Sequence, residues 1–365
     1  MTADIDPAPL LAANEDAATF YRRQLLGPEG DGPREYLRSR GFDALLGDTT
    51  WTIGYAPASW TAAHDYLSGL GYSDDLLLAA GLVSRTPRGT VIDRFRDRVT
   101  FGIRDEQLGL RGFTARRAPS TAKECPKYLN TPTTATYNKS EQLFGLGESQ
   151  QLAAHATTAV VTEGPLDAIA IASATSSTHS RVRSLAVCGT AMSPAQARLV
   201  TSGAVDTAVV AFDSDVAGQR ATLNAFAALA TRSTAIRVAR SPFGDPAEVV
   251  ALSGTSGIEQ LLVGSSPGLE TVIDDLVDAW PTRGRGAEAN LCCLRHIATR
   301  LVSVQGLDAA EAARHLGARL HFGMDTVSRE LSEAVTNDTR SSPDPRPSNR
   351  RTFQLERSSL QATRR

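Results

Sequence analysis

Apolar positions change their period several times along the chain. Over residues 15–80 they recur at three- and four-residue spacing. "DAATFYRRQLLG" stops at a glycine, and "GPREYLRSRGF" and "SWTAAHDYLSGLGYSDDLLLAAGLV" repeat the pattern, which predicts helices. From Thr90 short alternating runs take over, "TVIDRFRDRVTFGIRD" and "LGLRGFTARR", as expected for strands joined by a turn. A Pro- and Thr-containing loop, "CPKYLNTPTTATYNK", is expected next.

A different rhythm begins at Ala159. "AVVTEG", "SLAVCGT", "DTAVVAFDSD" and "TAIRVARSP" read as short buried strands. Between them, "PLDAIAIASATS", "SPAQARLVTSG" and "AGQRATLNAFAALATR" read as helices, the second capped by Ser193 and led by Pro194. Strands alternating with helices predict a parallel sheet, and ligands gather at the carboxyl ends of its strands. From Gly257 to Val335 the period is helical again, as in a small bundle. The tail beyond is rich in Pro, Ser and Arg and is expected to be disordered. The expected organisation is thus an α/β protein with an α+β unit over 15–154, a Rossmann-like parallel sheet over 155–254, a helical bundle over 255–335 and a tail over 336–365.

With 41% hydrophobic and 21% charged residues among 365, the composition is that of a soluble globular protein. No apolar run approaches the roughly 20 residues of a membrane span. The acidic start, "MTADIDPAPLLAANED", is unlike a signal peptide, and a cytoplasmic location is expected. Cys125, Cys188, Cys292 and Cys293 form no C-x-x-C pair, and buried, reduced thiols are expected. A net charge of −2 argues against indiscriminate coating of nucleic acid. It leaves room for a local basic patch, and arginines and lysines crowd the stretch from Arg85 to Lys139.

The chemistry is carried by carboxylates. Glu163 follows an apolar strand in "VVTEGPLDAIA", and Asp167 lies four residues on, in the first turn of the helix, so both can face one cleft. Asp213 and Asp215 in "VVAFDSD" are two apart in an extended segment and are expected to point the same way. Asp245 in "GDPAE" adds a third acidic segment. Converging carboxylates repel one another and raise each other's pKa values. A hard divalent cation removes that penalty, and oxygen-only ligands suit Mg²⁺ or Mn²⁺.

"VTEGPLDAIA" and "VAFDSDVAGQRA" resemble the two signatures of a Toprim domain, the metal-dependent module of primases, topoisomerases and some nucleases. The flanks "RFRDRVTFGIRDEQLGLRGFTARR" and "PKYLNTPTTATYNKSEQLFGL" resemble the catalytic core of bacterial DnaG-type primases, and "FYRRQLLGPEGDGPREYLRSRGF", "IGYAPASW" and "LVSRTPRG" match its start in the same order. The resemblance covers roughly residues 18–335. It implies that Glu163 is a metal ligand or general acid/base, that Asp167, Asp213 and Asp215 are catalytic metal-site residues, and that Asp245 is a further ligand. The later Asp-Pro-Asp-type motif has lost its second acid to Ala247, with Glu248 in place to compensate in part.

A growing primer and an incoming nucleotide both carry phosphates, which call for Arg and Lys opposite the metals. Arg40, Arg96, Lys127, Asn130 and Lys139 lie in segments matching the family's basic groove and nucleotide-binding residues, and Arg116 is a further candidate. Tyr128 either stacks on a base or fills a core. The function implied is synthesis of short RNA primers on a single-stranded DNA template from ribonucleoside triphosphates. The alternatives are a degenerate core that binds DNA or nucleotides without catalysis, and a Toprim nuclease. The sequence shows neither the zinc ribbon nor the helicase-docking domain of replicative primases, and no P-loop. A replicative helicase or a zinc-ribbon protein acting in trans is the partner this implies.

Overall fold

A computed structural model describes residues 6–118, 124–153, 155–175, 181–189, 191–232, 234–281 and 286–341. The chain opens with α1 (Pro7–Leu26), capped by Asp6 and ended at Gly27, and α2 (Asp31–Ser39). Next come β1 (Ile53–Ala56), α3 (Ala62–Gly69), α4 (Asp74–Ala79), β2 (Val83–Arg85), β3 (Val91–Asp93), β4 (Arg98–Arg104), β5 (Leu110–Arg117) and β6 (Tyr128–Asn130). β1, β4, β5 and β6 form an antiparallel sheet in that order, and β2 pairs with β3. The apolar stripe of α1, with Leu10, Ala17 and Tyr21, packs with Phe95 and Phe113 in one core.

The "PKYLN" segment, expected in a loop, instead supplies β6, because its backbone completes the edge of the antiparallel sheet. The register pairs Tyr128 with Arg116 and Asn130 with Thr114. Directly opposed residues on neighbouring strands share a face, so this pairing brings two candidate site residues together.

The second layer follows α5 (Leu146–Leu152). It comprises β7 (Thr158–Thr162), α6 (Pro165–Thr175), β8 (Val182–Ala186), α7 (Pro194–Val200), β9 (Thr207–Val210), α8 (Val216–Leu229), β10 (Ala235–Val238), α9 (Pro246–Val263) and β11 (Ser266–Pro267). The sheet order is β11-β10-β9-β7-β8, parallel except for β11. From β7 the chain moves outward to β8, and from β9 it moves the other way to β10. The reversal opens a crevice beyond the carboxyl ends of β7 and β9, where open α/β sheets bind ligands.

α6 carries almost only apolar residues and is buried along most of its length. Leu166 and Ile169 join Trp51, Phe101, Phe144 and Ala247 in a core that fuses the two layers. Trp51 stacks on Phe144 at 5.2 Å. The remaining helices are α10 (Gly268–Asp278), α11 (Ala287–Leu301), α12 (Ala309–Leu320) and α13 (Met324–Ser341). They bury Ile273, Leu294, Ile297, Leu316 and Val327 in a separate cluster.

Four expectations are adjusted. The boundary at 254/255 falls inside α9, at a kink where Gly254 takes φ 65°, and β11 still belongs to the parallel sheet. The tail expected from residue 336 continues α13 as far as Ser341, and the rest of it lies outside the described residues. Cys125 and Cys292 are exposed, while Cys293 is buried. Neighbours on a helix point about 100° apart, so only one of the adjacent pair faces the core. Finally, β9 stops at Val210, so the strand alternation does not reach Asp213 and Asp215. Among the described residues, no helix is long and apolar enough to cross a membrane.

Candidate active site

β7 delivers Glu163 to the crevice, and Pro165, first residue of α6, starts the helix that carries Asp167. Between them the space is tight: a Cβ on Gly164 would meet Asp167 Oδ2 at 2.9 Å and the Tyr128 hydroxyl oxygen at 3.0 Å and displace both. Beyond β9 the chain turns so tightly that a Cβ on Gly218 would lie 2.0 Å from the Asp213 carbonyl oxygen. These two close approaches account for the glycines of "TEG" and "DSDVAG".

Glu163, Asp167, Asp213 and Asp245 line one cavity of about 230 Å³, with Arg116, Lys127, Tyr128 and Cys188 on its other walls. Glu163 Oε1 accepts the backbone N–H of Asp213 at 3.3 Å. Asp167 Oδ1 accepts the N–H of Ala247, in the first turn of α9, at 3.2 Å. Burial raises the pKa of Glu163, and the charge of Asp213 adds to it. Burial and then Asp245 do the same for Asp213 and, more strongly, for Asp167. Lys127 works in the opposite direction on both Glu163 and Asp213. Burial is the largest cause in all three, and mutual repulsion of the carboxylates adds to it.

Asp215 and Asp245 each open a helix as its N-cap. Asp215 Oδ1 accepts the Gly218 N–H at 2.8 Å, and Asp245 Oδ1 accepts the Glu248 N–H at 2.7 Å, as N-caps of α8 and α9. Asp215, although it caps α8, stays close enough for its charge to raise the pKa values of Glu163 and Asp213. The Glu248 carboxylate lies 3.3 Å from Arg40 Nη1, and its charge adds to those that raise the pKa of Asp213. Ala247 itself is fully buried.

The expected basic and polar residues divide. Arg116 Nη1 donates to the Tyr128 hydroxyl at 2.9 Å, and its guanidinium lies over two rings, Tyr36 at 5.3 Å and Tyr128 at 5.5 Å. Burial keeps the Tyr128 phenol protonated far above neutral pH. Lys127 stands on the cavity wall, and Lys139 is exposed nearby, its Cε against Gly189. Asn130 is a brace: its Nδ2 donates to the Cys188 carbonyl at 3.0 Å, holding a residue whose φ is +49°. Arg94 in turn donates twice to the Asn130 carbonyl, at 2.9 and 2.7 Å. Arg96 bonds the Asp93 carbonyl and stacks 4.4 Å from the ring centroid of Trp60. Arg40 pairs with Asp245.

Sequence reasoning missed Trp60, Tyr36 and Cys188. Trp60 is 61% exposed, and a Trp left in water beside an arginine is the signal that could have found it. Tyr36 reaches the site through packing across the two layers, which no local pattern records, whereas Cys188 follows β8 and its N–H bonds the Glu163 carbonyl at 3.1 Å.

The donor set is oxygen-rich and its carboxylates repel one another, which fits a hard divalent cation. Among the described residues no three His, Cys, Asp or Glu side chains stand ready to hold one ion. That suits Mg²⁺, which is commonly bound by one or two carboxylates and completed by waters and substrate phosphates.

A parallel sheet with Glu163 and Asp213 at adjacent strand ends defines a Toprim-type module, joined here to an antiparallel basic subdomain. Residues 20–150 match the DNA primase catalytic core, N-terminal domain, and residues 160–254 match the Toprim-like family. The DNA primase of Streptomyces coelicolor is 35% identical over 274 residues, which is 73% of this chain and 42% of that protein. The RNA polymerase domain of Mycobacterium tuberculosis primase DnaG superposes with a TM-score of 0.71 at 31% identity, covering 86% of this chain and 99% of that domain. A DnaG primase catalytic domain bound to single-stranded DNA gives a TM-score of 0.68 at 25% identity, covering 86% of this chain and 96% of that one. The chain belongs to the DnaG-type DNA primase catalytic-core family. It spans less than half the length of the Streptomyces relative.

Proposed function

We propose that this chain synthesises short RNA primers on single-stranded DNA. The primer 3′-hydroxyl attacks the α-phosphorus of a ribonucleoside triphosphate, and pyrophosphate leaves. The observation that carries the reading is the meeting of four carboxylates with Arg116 and Lys127 in one cavity at the carboxyl ends of β7 and β9. Carboxylates and cations lining one cavity suit a triphosphate and its counter-cation, whose opposite charges must both be held.

Glu163 and Asp213 would hold the divalent cation, with Asp167 and Asp245 beside them. Bound there, Mg²⁺ or Mn²⁺ supplies charge neutralisation for the triphosphate and the leaving group. Arg116, fixed between two tyrosine rings, and Lys127 hold phosphate oxygens, and Lys139 extends this cationic wall. Glu163 serves either as a ligand of that cation or as the group that accepts the proton of the attacking hydroxyl. The template lies over the basic subdomain, where Trp60 and Arg96 offer a stacking platform. Arg94 and Asn130 tie that corner to the cavity wall. We place the reaction in the cytoplasm, with a replicative helicase or a zinc-ribbon protein supplied separately to choose the site.

The test is direct: full-length chain, single-stranded DNA, labelled ribonucleotides and Mg²⁺ or Mn²⁺, with short oligonucleotides as the readout. Products that disappear in Asp213→Asn support the reading. Ala247, standing where an acid is expected, favours the second reading of a binding core without catalysis. Retained DNA binding with no product, even with helicase and zinc-ribbon protein added, would establish that alternative.

A further inference from the structure

Arg40, at the end of α2, reaches across the seam between the two layers to the start of α9. Its Nη2 lies 3.0 Å from Asp245 Oδ1 and 3.4 Å from Oδ2, and its Nη1 lies 3.3 Å from Glu248 Oε1. The pair is mostly withdrawn from water, with side chains 18% and 16% exposed. The Arg40 Nε is buried without a hydrogen-bond partner.

Asp245 has no structural need of this arginine. Its Oδ1 already accepts the Glu248 N–H at 2.7 Å, which caps α9. Toward the cavity the same carboxylate is a source of excess charge, raising the pKa values of Asp213 and Asp167. With alanine at 247, Asp245 is the acid that this segment presents on the cavity wall. Arg40 therefore occupies the carboxylate that a divalent cation in the cavity would also claim. A guanidinium fork engages a carboxylate or a phosphate in the same two-point way.

We propose that Arg40 is an exchangeable latch, a positioning residue that moves between Asp245/Glu248 and a phosphate of the nucleic-acid strand. Strand binding then frees Asp245 for the cation, and the cation at Asp245 frees Arg40 for the strand. Each step alone leaves one partly buried charge without its partner, which disfavours it. Both together leave only Glu248 without its partner, and that side chain is 45% exposed to water. The two ligands thus reinforce each other, and linkage requires the same factor in both directions. The proposal rests on the reading of the cavity as a cation site.

The experiment measures two equilibria on the full chain. Binding of a labelled oligo-dT is followed by fluorescence anisotropy with and without Mn²⁺, and Mn²⁺ binding by electron paramagnetic resonance with and without the oligonucleotide, corrected for Mn²⁺ held by the oligonucleotide alone. In the parent chain each ligand is expected to tighten the other about fivefold or more. Arg40→Gln is expected to bind Mn²⁺ more tightly than the parent in the absence of DNA and to lose the mutual effect. Asp245→Asn is expected to bind the oligonucleotide more tightly without metal and to lose the effect as well. In the double variant the two losses should not add, and thermal melts confirm that all three variants fold. Coupling undiminished in Arg40→Gln, or absent from the parent chain, overturns the latch. If the parent chain binds no Mn²⁺ at all, the cation reading of the cavity falls and the latch with it. If Mn²⁺ binds and is lost in Asp213→Asn while coupling is absent, the latch falls alone.

Discussion

Glu163 accepts the backbone N–H of Asp213 at 3.3 Å, so the end of β7 is fastened to the loop that follows β9. Each carboxylate is thereby placed by the other's segment. Glu163→Gln keeps an acceptor oxygen for that bond while removing the charge. The variant is expected to keep the parent's melting temperature within about 2 °C and to lose primer synthesis by about 100-fold or more. Calorimetry and a labelled-primer assay check the two halves of this expectation. A variant that stays active would remove Glu163 from the chemistry.

Trp60 is exposed and lies under the Arg96 guanidinium. Loss of one base-stacking surface weakens single-strand binding by about 1–3 kcal/mol. Trp60→Ala is therefore expected to weaken oligo-dT affinity about tenfold, with Trp60→Phe in between. Because the ring is in water, neither change should move the melting temperature. Anisotropy titrations at fixed salt measure the first expectation and thermal melts the second.

Glu148 is 1% exposed and neither carboxylate oxygen has a hydrogen-bond partner. Burial lifts its pKa from 4.5 to about 7. The neutral acid's contribution to stability is whole below pH 4.5 and is lost as pH rises through about 7. Glu148→Gln cannot ionise and escapes this loss. By pH 8 the variant should exceed the parent in stability by up to about 3 kcal/mol, with the difference closing toward pH 5. Urea unfolding from pH 5 to 8 is the measurement, and a pH-independent difference would refute the assignment.

Ala247 is fully buried, and its N–H is bonded to Asp167. An aspartate there would put a second buried carboxylate beside one whose pKa is already raised. Ala247→Asp is expected to lower the melting temperature by about 5 °C or more in EDTA. Millimolar Mn²⁺ should restore part of that loss by binding the native state. Equal melting temperatures in the two buffers would separate position 247 from the cation site.

The alternation of strands and helices from Ala159 to Val238 was legible because each strand is short and mainly apolar and each helix opens with Pro, Asp or Ser. The carboxylates after β7 and β9 were legible for the same reason: the end of an apolar run marks the sheet's rim. What the chain did not disclose depends on partners distant in sequence. "PKYLN" looks like a loop until β5 lies beside it, and Arg116 acquires its role only when that register sets it opposite Tyr128. Asp215 carried the pattern of a cavity residue, and its second task as the cap of α8 showed only in the fold. Arg40 and Asp245 are 205 residues apart, and nothing local to either announces the pair.

Asp215 and Asp245 are helix caps as well as acids beside the cavity. Selection for a well-formed α8 and α9 is enough to retain a capping residue at each position, whatever the cavity does. A lineage that abandoned nucleotidyl transfer would keep both aspartates for the sake of its fold, and a comparison of descendants would misread them as signs of a working enzyme. Glu163 and Asp213 cap no helix. In such a lineage the pair is held only by the Glu163–Asp213 bond, so its loss tracks the loss of chemistry more closely than the loss of either cap.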